Sequence, residues 1–321
     1  MPNQPNIVLL GTGAVGSLYA GKLAQAGARV STVCRSDYQA VKNQGIVIKS
    51  IWGDFVFKPT DVMKDISEYP SIPDYIIVAT KVLPQIDVAK LIKSKVSPQT
   101  SIVLLQNGID IEEPVARAFP KTEIISALAF VCVSRIALGQ IDHLDYGRLI
   151  IGKYPSGRSE KVETLGKLFN NAGVECVVAD NIVTARWIKL VWNAPFNPMS
   201  VLGGGVDTMA MTGAEPALIL ARKVMEEVRL LAEATGHSFP EAVITKNIDD
   251  TMIMKPYKTS MLLDYENGRE MEVEAILGNA VRLAQKHAVN VPHIESLYGL
   301  LTLVNNEQKL KGERRHTSVV S

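Results

Sequence analysis

Short, wholly apolar runs alternate with amphipathic stretches over the first half of the chain, which predicts a parallel sheet covered on both faces. Residues 6–10 read as a strand. Residues 14–26 follow as a helix with Val15, Leu18, Tyr19 and Leu23 on one side, stopped by Gly27, and 29–34 form a second strand. Apolar runs at 75–79 and 101–105 predict further buried strands, ending in Thr80-Lys81 and Gln106-Asn107-Gly108. Shorter strands are expected at 46–49 and 54–57 and a helix at 85–95. From 123 the pattern becomes strand and turn, with strands at 123–133, 139–144 and 148–151, an antiparallel meander added to the sheet. A helix at 159–172 and a strand at 174–178 complete a first domain. Beyond residue 200 no strand pattern remains. Helices at 215–235 and 270–287, with a turn signal at 264–269, predict a helical second domain, and 307–321 reads as a solvated, frayed end.

One stretch departs from simple amphipathicity. Residues 186–198 are almost all apolar or aromatic, yet Lys189, Asn193 and Asn197 recur at a spacing of four, which stacks them along one helix face. Burying an ammonium and two carboxamides costs ~1–3 kcal/mol for each unpaired polar group and more for the charge. The stripe is therefore expected to line a substrate pocket or a cofactor edge; the alternative is a surface stripe with Lys189 reaching water along its stem. Pro195 removes a backbone donor inside the stretch, so a kink is expected there.

Composition narrows the class. The 321 residues suffice for two domains, and Lys+Arg 34 against Asp+Glu 33 leaves a net charge of +1. That balance offers no electrostatic reason to expect nucleic acid or an anionic membrane as partner. Cys34, Cys132 and Cys176 are far apart, with no C-x-x-C, which suggests reduced thiols and a cytoplasmic location. The first residues show no signal-peptide pattern, and no apolar segment approaches the ~20 residues a membrane helix needs. His237, His287 and His293 are scattered, so no metal site is expected, and the absence of G-x-S-x-G leaves serine-hydrolase chemistry unsupported.

Gly11-Thr12-Gly13-Ala14-Val15-Gly16 lies between the first strand and helix, where dinucleotide binding requires a glycine-rich turn. Gly11 makes the turn, Gly13 lets backbone amides approach a pyrophosphate, and Gly16 lets helix and strand pack closely. The second strand ends in Cys34-Arg35-Ser36 rather than an acidic residue, so Arg35 is expected to meet a 2′-phosphate and NADP is favoured over NAD. Alternatively, Asp37 serves the ribose. The parallel strand ends bring Gly11, Thr80, Lys81, Gln106 and Asn107 to one carboxyl edge, so Lys81 is expected to meet cofactor and Asn107 the nicotinamide or substrate; Asn107-Gly108 also reads as a plain turn.

Four motifs, the glycine turn, Gln106-Asn107-Gly108, the Lys189/Asn193/Asn197-Pro198 stripe, and Thr259-Ser260-Met261-Leu262 followed by Gly268-Arg269-Glu270-Met271-Glu272, resemble those of the ketopantoate reductase (2-dehydropantoate 2-reductase) family over nearly the whole chain. The resemblance implies an α/β fold, with an N-terminal Rossmann-type NADP-binding domain over 1–180 and a helical substrate domain over 181–321. It implies NADPH-dependent reduction of ketopantoate to pantoate on the way to coenzyme A, in the cleft between the domains. Lys189 would be the general acid and Glu272 would hold the substrate hydroxyl. Ser260 would bind the carboxylate, Asn193 and Asn197 would shape the pocket, and Asn107 would sit by the nicotinamide. Burial would lower the lysine pKa and Glu272 would raise it, and the sequence leaves the balance open. Glu274 and Leu277-Gly278 depart from the family pattern of an aspartate and an asparagine-glycine pair, so another small 2-oxo acid remains an alternative substrate. A non-catalytic NADP(H) sensor and a helical interaction module are rival readings. The partner expected is a small molecule; a homodimer is compatible with the sequence, which does not fix the oligomeric state.

Overall fold

The computed structural model describes residues 4–317 and divides into two compact units. Among the described residues the first comprises 4–81, 86–106 and 111–183; the second comprises 82–85, 107–110 and 184–317.

The first unit is built on one sheet whose strands are β1 (Asn6–Leu10), β2 (Arg29–Val33), β3 (Ile46–Ser50), β4 (Phe55–Phe57), β5 (Val62–Met63), β6 (Tyr75–Val78), β7 (Ser101–Leu105), β8 (Glu123–Ala137), β9 (Gln140–Lys153) and β10 (Cys176–Val178). The spatial order is β4-β3-β9-β8-β7-β6-β1-β2-β5, with β10 beside β9. Strands β6 and β7 are buried at every residue, because a parallel strand covered on both faces must be apolar throughout. Helices α1 (Ala14–Gln25), α2 (Tyr38–Gln44), α3 (Val88–Ile92), α4 (Glu113–Ala118) and α5 (Glu160–Asn171) complete the unit. Leu18, Tyr19 and Leu23 of α1 are fully buried in the core with Ile7, Leu9, Ile77 and Val103.

Several local expectations give way. The meander is two long antiparallel strands: β9 passes straight through Tyr146 and Gly147, and register shifts absorb the extra residues. Gly147 is a close-approach glycine, since a Cβ there would fall 2.0 Å from Trp52. The helix expected at 85–95 shrinks to α3 and a following 3-10 turn, because Asp87 caps it by accepting from the Lys90 amide at 2.9 Å.

The second unit contains α6 (Ile182–Leu202), α7 (Thr208–Gly213), α8 (Glu215–Ala234), α9 (Ala242–Ile253), α10 (Ser260–Glu266), α11 (Asn279–His287) and α12 (Pro292–Thr317). Helix α6 continues through Pro195 and Pro198. The helix expected from Glu270 starts only at Val273 and opens with a π-helical turn, Glu274–Gly278, leaving Glu270 to Glu272 outside it. Residues 307–317, expected to be frayed, belong to α12; 318–321 lie outside the described residues. Among the described residues no helix is long and apolar enough to cross a membrane.

Candidate active site

The site residues fall into two groups, one in each unit. In the first unit, the ends of β1, β6 and β7 are in parallel register, with Leu10 beside Val78 and Val78 beside Leu104. Their carboxyl edge therefore carries Gly11, Thr80 and Gln106, and the Gln106 carboxamide donates to the Thr80 carbonyl at 2.7 Å. Gly11 adopts φ +103, and a Cβ there would meet the Ala79 carbonyl carbon and the Thr80 nitrogen at 2.9 Å. A Cβ on Gly16 would stand 2.4 Å from the Gly11 oxygen, so only glycine lets α1 start this close to the turn. Gly13 instead faces open space, and as N-cap of α1 it supplies no side chain to the first-turn amides. With Thr12, Ala14 and Val15 between these glycines, the result is a set of amide donors without a capping side chain at the positive end of a helix dipole, which fits the pyrophosphate of a dinucleotide.

At the end of β2, Arg35 is exposed whereas Asp37 is only 2% exposed. The Asp37 carboxylate accepts from Arg135 Nη1 at 2.7 Å, from the Ser36 hydroxyl at 2.7 Å and from the Gly139 amide at 3.3 Å. It is thus already committed within the protein. Lys81 is half-buried just beyond the end of β6.

In the second unit, Lys189 is half-buried on α6, and its ammonium donates to Asn107 Oδ1 at 2.8 Å. Burial pushes the Lys189 pKa down to about 7; Arg186 depresses it further, and Glu272 opposes both. Arg186, one turn earlier on the same face, is 1% exposed, and its Nη1 donates to the Gly108 carbonyl at 2.9 Å. Gly108 must be glycine: φ is +103, and a Cβ would lie 2.6 Å from the Ala275 carbonyl oxygen. The Ile109 amide donates to that same oxygen at 2.9 Å and Asn279 donates to the Ile109 carbonyl at 2.7 Å, so the segment 107–110 is held from several sides. Glu272 is half-buried and accepts from the Val82 amide at 2.9 Å.

Asn193 and Asn197 follow Lys189 along α6 and are 8% and 1% exposed. Both polar side-chain atoms of Asn197 lack a hydrogen-bond partner among the described residues. Ser260 is exposed at the first residue of α10, behind Thr259, which caps that helix by accepting from the Leu262 amide at 3.1 Å. Glu274, the departure from the family pattern, accepts from Arg282 Nη1 at 2.7 Å and from the Tyr298 hydroxyl at 2.8 Å. A Cβ on Gly278 would lie 2.4 Å from Glu274 Oε2, so the Leu277-Gly278 pair leaves room for the longer acid. Sequence reasoning singled out neither Arg186 nor the Gly108 carbonyl. The available signal was the i,i+3 spacing of Arg186 and Lys189.

Amide donors at a glycine turn on the carboxyl edge of a parallel sheet, together with a helical unit carrying an amine of near-neutral pKa, define the class of two-unit nucleotide-dependent reductases. Residues 7–156 match the protein family described as ketopantoate reductase PanE/ApbA, and residues 181–305 match its C-terminal counterpart. A 2-dehydropantoate 2-reductase from Nostoc is 34% identical over 96% of this chain and 97% of its own length. The crystal structure of 2-dehydropantoate 2-reductase from Methylococcus capsulatus superposes with TM-score 0.89 at 48% identity, covering 94% of this chain and 97% of that one. That of the Geobacter metallireducens protein gives TM-score 0.88 at 31% identity, covering 93% and 99%. The chain belongs to the ketopantoate reductase family, whose members are pyridine-nucleotide-dependent oxidoreductases acting on CH-OH groups.

Proposed function

We propose that this protein reduces 2-dehydropantoate to pantoate with NADPH, with Lys189 as the general acid. The observation that carries the reading is the Lys189 amine, positioned by Asn107 and brought to a pKa of about 7 by burial and Arg186 against the pull of Glu272. NADPH, when bound, supplies a hydride to the keto carbon. The developing negative charge on the carbonyl oxygen is stabilised by the Lys189 ammonium, which then gives that oxygen its proton and is left as a neutral amine. An acid with pKa near the working pH suits this role, because it is substantially protonated before the step yet gives up its proton readily. Glu272 would hold the substrate hydroxyl, Ser260 its carboxylate, and Asn193 and Asn197 the remaining pocket wall. The unsatisfied Asn197 carboxamide supports a polar occupant beside it.

On the cofactor side, Gly11 to Gly16 would take the pyrophosphate, Arg35 the 2′-phosphate, and Lys81 and Asn107 the nicotinamide half. The engagement of Asp37 by Arg135 and Gly139 supports NADP over NAD. The buried Cys34, Cys132 and Cys176 support a cytoplasmic enzyme.

A second reading keeps the chemistry and changes the substrate to another small 2-oxo acid. It is favoured by Glu274, whose carboxylate is occupied by Arg282 and Tyr298. The test is NADPH consumption by the purified protein with ketopantoate beside a panel of 2-oxo acids, with Lys189→Ala in parallel. Preference for ketopantoate, lost by ~10²–10⁴-fold in the variant, is expected. Turnover only with another 2-oxo acid would move the second reading to first place, and cofactor binding without turnover on any of them would replace both with a sensor.

A further inference from the structure

The β2–α2 loop holds an acid, Asp37, a few residues beyond the strand end where NAD-selective proteins of this fold keep one, and the structure shows how it is disarmed. Asp37 is 2% exposed, and besides the adjacent Ser36 hydroxyl its partners come from the β8–β9 hairpin. Arg135, on β8 beside a register shift, is about one-third exposed and donates Nη1 to Asp37 Oδ1 at 2.7 Å. The Gly139 amide in the β8–β9 turn donates to the other carboxylate oxygen at 3.3 Å. The Gly139 carbonyl in turn accepts from the Val47 amide at 2.8 Å, which fixes the turn against β3. With its charge balanced by a guanidinium, both oxygens engaged and the side chain buried, Asp37 does not present its carboxylate to a ribose hydroxyl.

The surroundings are cationic. Arg35 is exposed two residues before Asp37. Lys64, which follows β5 at the same end of the sheet, places its ammonium 5.0 Å from the Tyr38 ring centroid. Lys42 lies 5.3 Å from the same centroid and donates to the Tyr38 hydroxyl at 3.1 Å. Once Asp37 is held by Arg135, the loop itself presents the Arg35 guanidinium and the Ser36 hydroxyl, with the Lys42 and Lys64 ammonium groups around Tyr38, which is the chemistry of a phosphomonoester site.

We propose that Arg135 is a positioning residue for cofactor selectivity: by holding the Asp37 carboxylate it keeps the loop cationic and closes it to an unphosphorylated ribose, so the 2′-phosphorylated dinucleotide is preferred. The inference rests on the reading that the protein uses NADPH. Arg135 acts through Asp37, from a position 98 residues away in the chain.

The test is isothermal titration of the purified, ligand-free protein with NADP⁺ and NAD⁺, on the wild type and on Arg135→Leu, Arg135→Lys, Asp37→Asn and the double variant Arg135→Leu/Asp37→Asn. The wild type should bind NADP⁺ more tightly. Arg135→Leu should lower the NADP⁺/NAD⁺ affinity ratio by about tenfold, because an uncancelled carboxylate then repels the 2′-phosphate and is free for a ribose hydroxyl. Arg135→Lys should recover most of the ratio, and adding Asp37→Asn to Arg135→Leu should restore it. Equal weakening of both dinucleotides in Arg135→Leu, or no change in either, would overturn the positioning role while leaving the NADPH reading intact. A wild type that binds NAD⁺ as tightly as NADP⁺ would overturn the NADPH reading itself, and the proposal with it. Should Arg135→Leu fail to fold, Asp37→Asn alone decides: unchanged NAD⁺ binding supports the proposal, and a ratio raised by selective loss of NAD⁺ binding overturns it, because Asp37 was then serving the ribose all along.

Discussion

Replacing Lys189 by methionine should make the ligand-free protein more stable and catalytically dead. Folding lowers the Lys189 pKa from 10.5 to about 7. At 1.36 kcal/mol per unit, holding this side chain in place at pH 7 costs up to ~5 kcal/mol. Methionine has a similar length and no charge. It forfeits the hydrogen bond to Asn107 and leaves that oxygen wanting a donor, a loss of ~1–3 kcal/mol. Water reaching the half-buried amine reduces the first figure, so a net gain of ~2 kcal/mol at pH 7 is expected. The sign with pH follows directly. Between about pH 7 and 10.5 the unfolded chain keeps a proton that the folded chain has released, so wild-type stability rises with pH across this window. The penalty that the variant avoids is therefore full at and below pH 7 and has gone by pH 10.5, where the lost Asn107 hydrogen bond leaves the variant the less stable protein. Urea denaturation followed by far-UV circular dichroism at pH 7 and pH 9 measures it, and the variant's lead of ~2 kcal/mol at pH 7 should fall to about zero or reverse at pH 9. A gap that stays constant with pH, or a variant less stable than wild type at pH 7, would refute the argument that the fold holds this amine against its own solvation.

Two further outcomes follow from the same geometry. Glu272→Gln removes the charge that raises the Lys189 pKa while keeping an oxygen for the Val82 amide, so the alkaline limb of the kcat/KM profile for reduction should move to lower pH; a limb that stays put or moves up contradicts the coupling. Asn197→Leu replaces two unsatisfied buried atoms with apolar ones and should raise the thermal midpoint by the equivalent of ~1 kcal/mol while raising KM for the 2-oxo acid; a lower midpoint would show that the carboxamide has a partner worth keeping.

The sheet was readable from the chain because buried parallel strands must be continuous apolar runs, and β1, β6 and β7 are such runs, each followed by the polar residues of the carboxyl edge. The glycine turn was readable because steric demands at Gly11 and Gly16 leave no other residue. Other features have no local signature. Strand β5 is two residues long, and β9 hides its irregularity at Tyr146 and Gly147, which resemble a turn until Trp52 is seen against them. Glu272 looked helical because Glu270, Glu272 and Glu274 precede a clear amphipathic helix, yet the π-helical turn and the engagement of the Met271 amide by Asn305 begin the helix later. The Lys189, Asn193 and Asn197 spacing did announce a buried polar stripe, whereas the pairing of Arg135 with Asp37 and of Arg186 with Gly108 joins residues far apart in sequence, beyond the reach of any periodicity.

The segments 82–85 and 107–110 belong to the helical unit although they are threaded through the first half of the chain, so the polypeptide passes between units at 81/82, 85/86, 106/107, 110/111 and 183/184. For anyone cutting or recombining the gene, this means that the junction near residue 183 is no seam. A fragment starting at Thr184 would leave the buried Arg186 without the Gly108 carbonyl and the π-helical turn without the Ile109 amide that meets Ala275. A chimera that took its first half from a relative would import a foreign loop opposite Lys189. Productive crossovers in such a library should keep Asn107–Asp110 and the helical half from the same parent.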